Sequence, residues 1–212
     1  MNWLANKKLT RIAIAIVTAT TLVTFYSTKT TRAANGTWNQ FTPGNYSWDT
    51  PGNWLGGTFA DGPGSTALFN TADPTGINVN LDGQPRSVGT LILSSRNNGN
   101  GWVINGPQTL TLDNGASSPV ILTSQALPYY VTTINAPINS SNGFSLNGVG
   151  TVSLGAALPN TFAGPIILAN NNNALNNTAV LQFSVDNPNV KSIQFGTVTA
   201  GSSNIATATT GS

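Results

Sequence analysis

The sequence contains no cysteine, no histidine and no glutamate among its 212 residues, and only 7% of its residues are charged. The absence of cysteine excludes disulfide bonds, and without histidine neither a Cys-His pair nor a Ser-His-Asp triad can form. The same absences remove the ligands that zinc prefers. We therefore expect no enzymatic activity, no metal and no other cofactor.

The few charges are unevenly distributed along the chain. The formal net charge is +2, but five of the eight basic residues lie within the first 32 positions. Beyond residue 32, three basic residues (Arg86, Arg96 and Lys191) stand against six aspartates, which gives this part a net charge of −3. The basic character therefore belongs to the N-terminal leader, and we expect no binding to nucleic acid.

Residues 1–34 have the pattern of a secretory signal peptide. A basic stretch at residues 7–11 precedes an apolar run at residues 12–26, and Ala33 and Ala34 offer small side chains for cleavage. The run is too short and too rich in threonine to span a membrane, which needs about 20 apolar residues. We expect export to the extracellular space or outer cell surface, with no membrane span in the mature chain. An uncleaved N-terminal anchor is the alternative.

The rest of the chain shows short runs of alternating apolar and polar residues, whereas helical periodicity is nearly absent. Each run ends at a turn signal such as Asn-Gly, and the runs recur about every ten residues. These features predict an all-β fold. The eleven predicted strands are 77–81, 88–93, 102–104, 109–112, 120–122, 131–134, 144–146, 151–154, 166–168, 180–183 and 192–195.

Weak internal similarity favours a parallel β-helix, which is a solenoid, over a β-sandwich. Residues 88–93 (VGTLIL) are echoed by residues 149–154 (VGTVSL). A low charge density also fits stacked strands, because like charges in a ladder repel one another. Residues 78–198 would form roughly six coils of about 20 residues. The β-sandwich remains the alternative, since its strands have similar spacing.

An ordered series of motifs carries a resemblance to a known family. WDTPGNWLGG at residues 48–57 is followed by DGPGSTALFN at 61–70, VNLDG at 79–83 and NTFAGPIIL at 160–168. The series, covering roughly residues 38–173, resembles the N-terminal part of secreted bacterial proteins with autotransporter-associated β-strand repeats. The resemblance implies a right-handed parallel β-helix on the cell surface, as a passenger or adhesin-like stalk. The repeat core, however, occurs clearly only once here.

These observations predict four segments. Residues 1–34 are the signal peptide, 35–76 an aromatic N-terminal cap, 77–198 the β-helix repeats and 199–212 a tail rich in Ala, Thr, Ser and Gly. The tail offers no capping residues, so the last coil is expected to be open. An open coil predicts either a fragment of a longer repeat protein or self-stacking of copies.

Five aromatic residues within 17 positions form the candidate functional site: Trp38, Phe41, Tyr46, Trp48 and Trp54. One interpretation, which we favour, is a cap that covers the open end of the first coil, because a solenoid exposes a core cross-section there. The other is a glycan-binding patch in which flat rings stack on sugars, as in a carbohydrate-binding module. The predicted partner is accordingly a surface glycan or another host or cell-surface component.

The remaining polar candidates have simple structural explanations. Four aspartates precede Gly, Asn-Gly or Pro, where aspartate commonly forms turns: Asp61, Asp73, Asp82 and Asp113. A β-helix polysaccharide lyase or hydrolase, using Asp82 or Asp113 with Arg86 or Arg96 as base, is the weakest alternative. The sequence thus predicts a structural or adhesin-like surface protein without catalytic residues.

Overall fold

The structure is a computed structural model, and it describes residues 33–95, 101–125, 130–156, 159–169, 179–183, 190–195 and 207–210. The chain divides into two compact units, Met1–Thr30 and Thr31–Ser212, and every described residue belongs to the second. The predicted signal peptide therefore lies almost entirely outside the described residues. Its cleavage and the proposed segment boundaries stay predictions.

Nearly all regular structure consists of short strands. Two single-turn 3-10 helices, Pro51–Asn53 and Leu55–Gly57, follow the second strand. The strands are β1 Gly36–Thr37, β2 Gly44–Ser47, β3 Thr66–Thr71, β4 Ile77–Asn80, β5 Arg86–Val88, β6 Thr90–Ser95, β7 Val103–Asn105, β8 Leu110–Leu112, β9 Val120–Gln125, β10 Val131–Ile134, β11 Ile138–Ser140, β12 Phe144–Leu154, β13 Thr161–Phe162, β14 Ile166–Leu168, β15 Ala179–Phe183, β16 Ile193–Phe195 and β17 Thr207–Thr210.

All pairs between these strands are parallel, and they fall into three stacks. The first sheet has the order β1-β3-β6-β9-β12-β14-β16, and the second has the order β2-β4-β7-β10-β12-β15-β17. The third sheet is β5-β8-β11-β13. Strand β12 joins the first two sheets, because residues 144–149 pair in the first and residues 150–154 pair in the second.

Strands that neighbour one another in a sheet are separated by one circuit of the chain. The separation ranges from 20 residues, between Val131 and Thr151, to 33 residues, between Gly44 and Ile77. This recurrence is the arrangement expected of a β-solenoid, and it confirms the predicted all-β class and parallel pairing. The antiparallel pairing of a β-sandwich is not seen between the named strands. Most circuits are longer than the predicted 20 residues.

The core follows from the period of two along each strand. In β4 (INVN) the side chains of Ile77 and Val79 are fully buried, while those of Asn78 and Asn80 are half-buried on the outer side. The same alternation buries Leu91 and Leu93 of β6 against the next circuits. Because parallel strands are in register, buried side chains stack between circuits, as Leu91 does between Ala67 and Ile121. The result is a continuous column of apolar side chains.

One turn illustrates how closely the circuits stack. Gly143, just before β12, has a φ of +68° and lies against the backbone of Gly164 and Pro165, at the turn before β14. Its neighbour Phe144 donates its backbone N–H to the Pro165 carbonyl at 3.1 Å. A methyl group at Gly143 would collide with that carbonyl oxygen. Glycine is therefore required there by both backbone conformation and space.

Replacing Gly143 by alanine is expected to lower the free energy of unfolding by about 2 kcal/mol, from left-handed strain plus overpacking. Gly115 is the matched control, because its φ is +64° but nothing lies within 4 Å of an added methyl group. Gly115→Ala should cost only about 1 kcal/mol, the strain alone. Urea denaturation of both variants checks this. Equal losses would contradict the close stacking of the two turns.

Candidate functional site at the N-terminal end

Three tryptophans of the N-terminal segment converge in one buried cluster. The ring centroids of Trp38 and Trp54 are 5.1 Å apart, as are those of Trp48 and Trp54. Phe69 of β3 lies between 5.4 and 5.5 Å from each of the three indoles. These tilted and edge-on arrangements are favourable for aromatic pairs. None of the three tryptophans is more than 2% exposed.

Two of the indole N–H groups are tied to backbone carbonyls. Trp48 donates its Nε1–H to the carbonyl of Ala60 at 2.9 Å, and Trp54 donates its Nε1–H to the carbonyl of Trp48 at 2.7 Å. The Nε1 of Trp38 is buried without a hydrogen-bond partner among the described residues. With their faces covered by protein, these three rings offer no surface on which a sugar could stack.

The two other predicted residues lie outside this cluster. Tyr46 is half-buried, contacts Trp38 edge-on at 6.2 Å, and donates its hydroxyl to the Thr42 carbonyl at 3.0 Å. Phe41 is 60% exposed. The structure thus separates the five predicted residues into three buried rings, one at the margin and one in solvent. Of the five, Phe41 is the ring that a ligand could reach most freely.

The segment that carries Trp54 also covers the free edge of β1. Residues 53–61 run antiparallel to residues 34–39, with bridges between Ala34 and Asp61 and between Trp38 and Trp54. The backbone N–H of Ala34 donates to the Asp61 carbonyl at 2.8 Å, and that of Asn39 donates to the Asn53 carbonyl at 2.9 Å. Unpaired strand edges promote association with other chains, and covering them prevents it.

A partly buried ion cluster fastens the N-terminal segment to the next circuit. Arg86 of β5 donates Nε–H to Asp49 Oδ1 and Nη1–H to Asp61 Oδ2, both at 2.7 Å. Its guanidinium lies 4.5 Å from the centre of the Phe59 ring. The second carboxylate oxygens accept the backbone N–H groups of Gln84 and Ser87. The cluster therefore joins positions that are 25 to 37 residues apart in sequence.

The environment of Arg86 makes it unsuited to act as a base. Burial opposes the charged form, but the hydrogen bonds and charges of Asp49 and Asp61 together outweigh it and raise the pKa of Arg86. A base must lose its proton near the working pH, and arginine is already the weakest candidate for that. The structure gives no support to the lyase mechanism through this residue.

The remaining described aspartates each accept a hydrogen bond, Asp73 and Asp113 within their own turns and Asp82 from the previous circuit. Asp82 accepts the Ser47 hydroxyl at 2.6 Å, and Asp113 accepts the Gly115 backbone N–H at 2.8 Å. Hydrogen bonds from the hydroxyl and backbone N–H of Thr75 lower the pKa of Asp73. Within the described part of the chain, no group of three or more acidic side chains could hold a metal ion.

Arg96, the other candidate base, lies outside the described residues. Lys191 is described and exposed. No helix in the described part of the chain is long and apolar enough to cross a membrane.

Sequence reasoning missed several members of the aromatic and ionic clusters. Phe69 completes the tryptophan cluster. Trp102 of the next circuit contacts Phe69 with tilted rings whose centroids are 5.2 Å apart. Phe59 and Arg86 form the cation–π contact. Of these residues, only Phe69 could have been identified from the sequence around it, because it is the aromatic residue of the motif DGPGSTALFN. The others are brought together by contacts that are distant in sequence.

Comparison with known proteins gives one informative match. The chain is 33% identical over 152 residues to the adhesin BmaC autotransporter of Brucella suis biovar 1 (strain 1330). The match includes 71% of this chain but only 4% of the adhesin. No family model and no solved structure matches the chain. The chain is therefore related in sequence to a small part of an autotransporter adhesin.

Proposed function

We propose that this chain is a structural, adhesin-like segment of a bacterial surface protein, folded as a right-handed parallel β-helix. The observation that carries the proposal is its 33% identity over 152 residues to an autotransporter adhesin. The parallel stacking of all three sheets supports the β-helix. Right-handed connections are nearly universal between parallel strands of one sheet, which supports the hand.

The N-terminal aromatic cluster acts in this proposal as the cap of the β-helix. Trp38, Trp48 and Trp54 fill the end of the apolar column, and residues 53–61 cover the edge of β1. Both tasks protect the first circuit from water and from other chains. The burial of the tryptophans supports this role over a glycan-binding patch. A surface glycan or host-cell component is a proposed partner of the adhesin-like segment as a whole.

The proposed role is non-enzymatic and extracellular. Arg86 is engaged with Asp49 and Asp61, and Asp73 and Asp113 accept backbone N–H groups of their own turns, which supports a role without catalysis. Export rests on the leader at residues 1–34 and on the adhesin relationship. Continuation of the stack, or stacking of copies, at the C-terminal coil stays a prediction.

A two-part experiment tests the surface role. In a Gram-negative host that expresses the full chain with a C-terminal epitope, proteinase K added to intact cells should remove the epitope. Beads coated with the full chain should then be retained on epithelial monolayers several-fold above beads coated with an unrelated β-protein. Protection of the epitope until lysis would refute surface exposure, and equal bead retention would refute the adhesin-like role.

A further inference from the structure

A cleft of about 380 Å³ lies beside the ion cluster, where β5 and β8 of the third sheet meet the turn before β3. Ser87 and Thr111 are paired neighbours in these two strands and line the cleft. Pro63 and Pro85 provide apolar walls, and Asp61 and Asp113 provide carboxylates. A volume of this size is in the range of small-ligand sites.

The cleft is electrically negative. Arg86 also lines it, but two carboxylates, Asp49 and Asp61, already neutralise this guanidinium. Asp113 has no ion-pair partner among the described residues, and its Oδ1 accepts only a backbone N–H. The other described cation, Lys191, precedes β16 at the far end of the first sheet. An approaching cation would therefore meet an attractive potential here.

One further group in the cleft lacks a partner. The hydroxyl oxygen of Ser87 is buried, and it makes no hydrogen bond with any described residue. Buried hydroxyl groups are nearly always hydrogen-bonded in folded proteins, and such exceptions call for an explanation. A hydroxyl can accept a hydrogen bond from an ammonium or guanidinium group. Ser87 thus adds an unused acceptor to a cleft that already carries negative charge.

We propose that this cleft binds the cationic side chain of a lysine or arginine presented by a partner protein. The Asp113 carboxylate and the Ser87 hydroxyl accept hydrogen bonds from the cationic group, and charge-assisted hydrogen bonds of this kind are the strong ones. The aliphatic stem packs between the rings of Pro63 and Pro85, as stems of long basic side chains do on apolar surfaces. The site goes beyond the proposed surface role and does not depend on it.

Titration of the ¹⁵N-labelled full chain with Nα-acetyl-lysine amide and Nα-acetyl-arginine amide tests the proposal. The backbone amide signals of Ser87, Thr111 and Gly115 should shift in a saturable way, because Gly115 donates to the Asp113 carboxylate. Nα-acetyl-norleucine amide has the apolar stem without the charge and should cause no saturable shift. Asp113→Asn keeps an oxygen for Gly115 but removes the charge, and should weaken binding about fivefold.

Asp73→Asn is the matched control, because Asp73 is also an aspartate in a turn but does not line the cleft. Its dissociation constant for the lysine probe should equal that of the unchanged chain. Equal shifts with the norleucine probe, or unchanged affinity in Asp113→Asn, would overturn the proposal. If calcium chloride shifts the same amide signals at a lower concentration than the lysine probe does, the cleft is a metal-ion site instead. That result would also overturn the proposal.

Discussion

Replacing Trp48 by alanine is expected to lower the free energy of unfolding by about 4 kcal/mol, the cost of removing a fully buried tryptophan. Its side chain is 0% exposed and contacts the rings of Trp54 and Phe69. The substitution also leaves the Ala60 carbonyl without the indole N–H that it now accepts. Trp54→Ala should have an effect of similar size, because Trp54 touches the same rings and caps the Trp48 carbonyl.

Urea denaturation followed by tryptophan fluorescence and far-ultraviolet circular dichroism measures this loss. Phe41→Ala is the matched control, since Phe41 belongs to the same aromatic segment but is 60% exposed. It should change stability by less than about 0.5 kcal/mol. If Trp48→Ala and Trp54→Ala instead fold normally but lose retention on a glycan column, the cap assignment is wrong and the glycan-binding interpretation is right.

The strands of the central part of the chain were predictable because their alternation is local. All eleven predicted runs overlap strands of the structure, from β4 to β16, although several ends differ by one to three residues. Two larger differences concern how the runs are divided into strands. The run at 88–93 is divided at Gly89 between β5 and β6, and the runs at 144–146 and 151–154 merge into β12. In both places the chain turns from one sheet to another, and a period of two does not reveal a corner.

Other strands escaped prediction because they are short or lie in unusual sequence. Strand β13 has only two residues, too few to establish a period, and β11 (INS) has a single apolar residue followed by two polar ones. Strands β1 to β3 lie in the segment expected to be a cap, where glycine, proline and asparagine obscure the alternation. Strand β17 lies in the predicted low-complexity tail and pairs with β15. These strands form because they pair in register with strands of a neighbouring circuit. That register cannot be derived from a single sequence.

The candidate site was predictable in composition but not in arrangement. Spacing alone identified Trp38, Trp48 and Trp54 as neighbours in the chain, and it left their exposure open. Their burial depends on Phe69 and Trp102, which arrive from later circuits. Prediction of the Arg86 cluster failed for the same reason. Of the two carboxylates that bind Arg86, Asp61 was interpreted as a turn former and Asp49 was assigned no role. Only the stacking of circuits brings both to the arginine.

Replacing Arg86 by methionine is expected to lower the free energy of unfolding by about 3 kcal/mol. Methionine keeps much of the apolar volume but leaves Asp49 and Asp61 together without their cation, and breaking a fully buried pair in this way costs about 3–5 kcal/mol. The lower end applies because this cluster is only partly buried: the aspartate side chains are 21% exposed and keep their backbone donors. Arg86→Lys should lose less, since it retains the charge but cannot bind both carboxylates with fixed geometry.

Urea denaturation checks these values, and a triple variant identifies their cause. Arg86→Met combined with Asp49→Asn and Asp61→Asn removes the uncompensated charges and should recover more than half of the loss. A loss below about 1 kcal/mol in Arg86→Met would show that the cluster does not fasten the N-terminal segment. If the triple variant recovers none of the lost stability, the loss comes from the missing packing on Phe59 and not from uncompensated charge.

The pH dependence of the Arg86 contribution follows from the direction of its pKa shift. The pKa is raised in the folded state, because the attraction of Asp49 and Asp61 exceeds the opposing effect of burial. A base with a raised pKa stabilises the fold fully below its unfolded-state pKa, and this stability is lost only as the pH rises through the folded-state pKa. From about pH 6 to about pH 10 the stability difference between the unchanged chain and Arg86→Met should therefore stay constant. A difference that shrank steadily across this range would mean that a group other than the guanidinium holds the N-terminal segment to the second circuit.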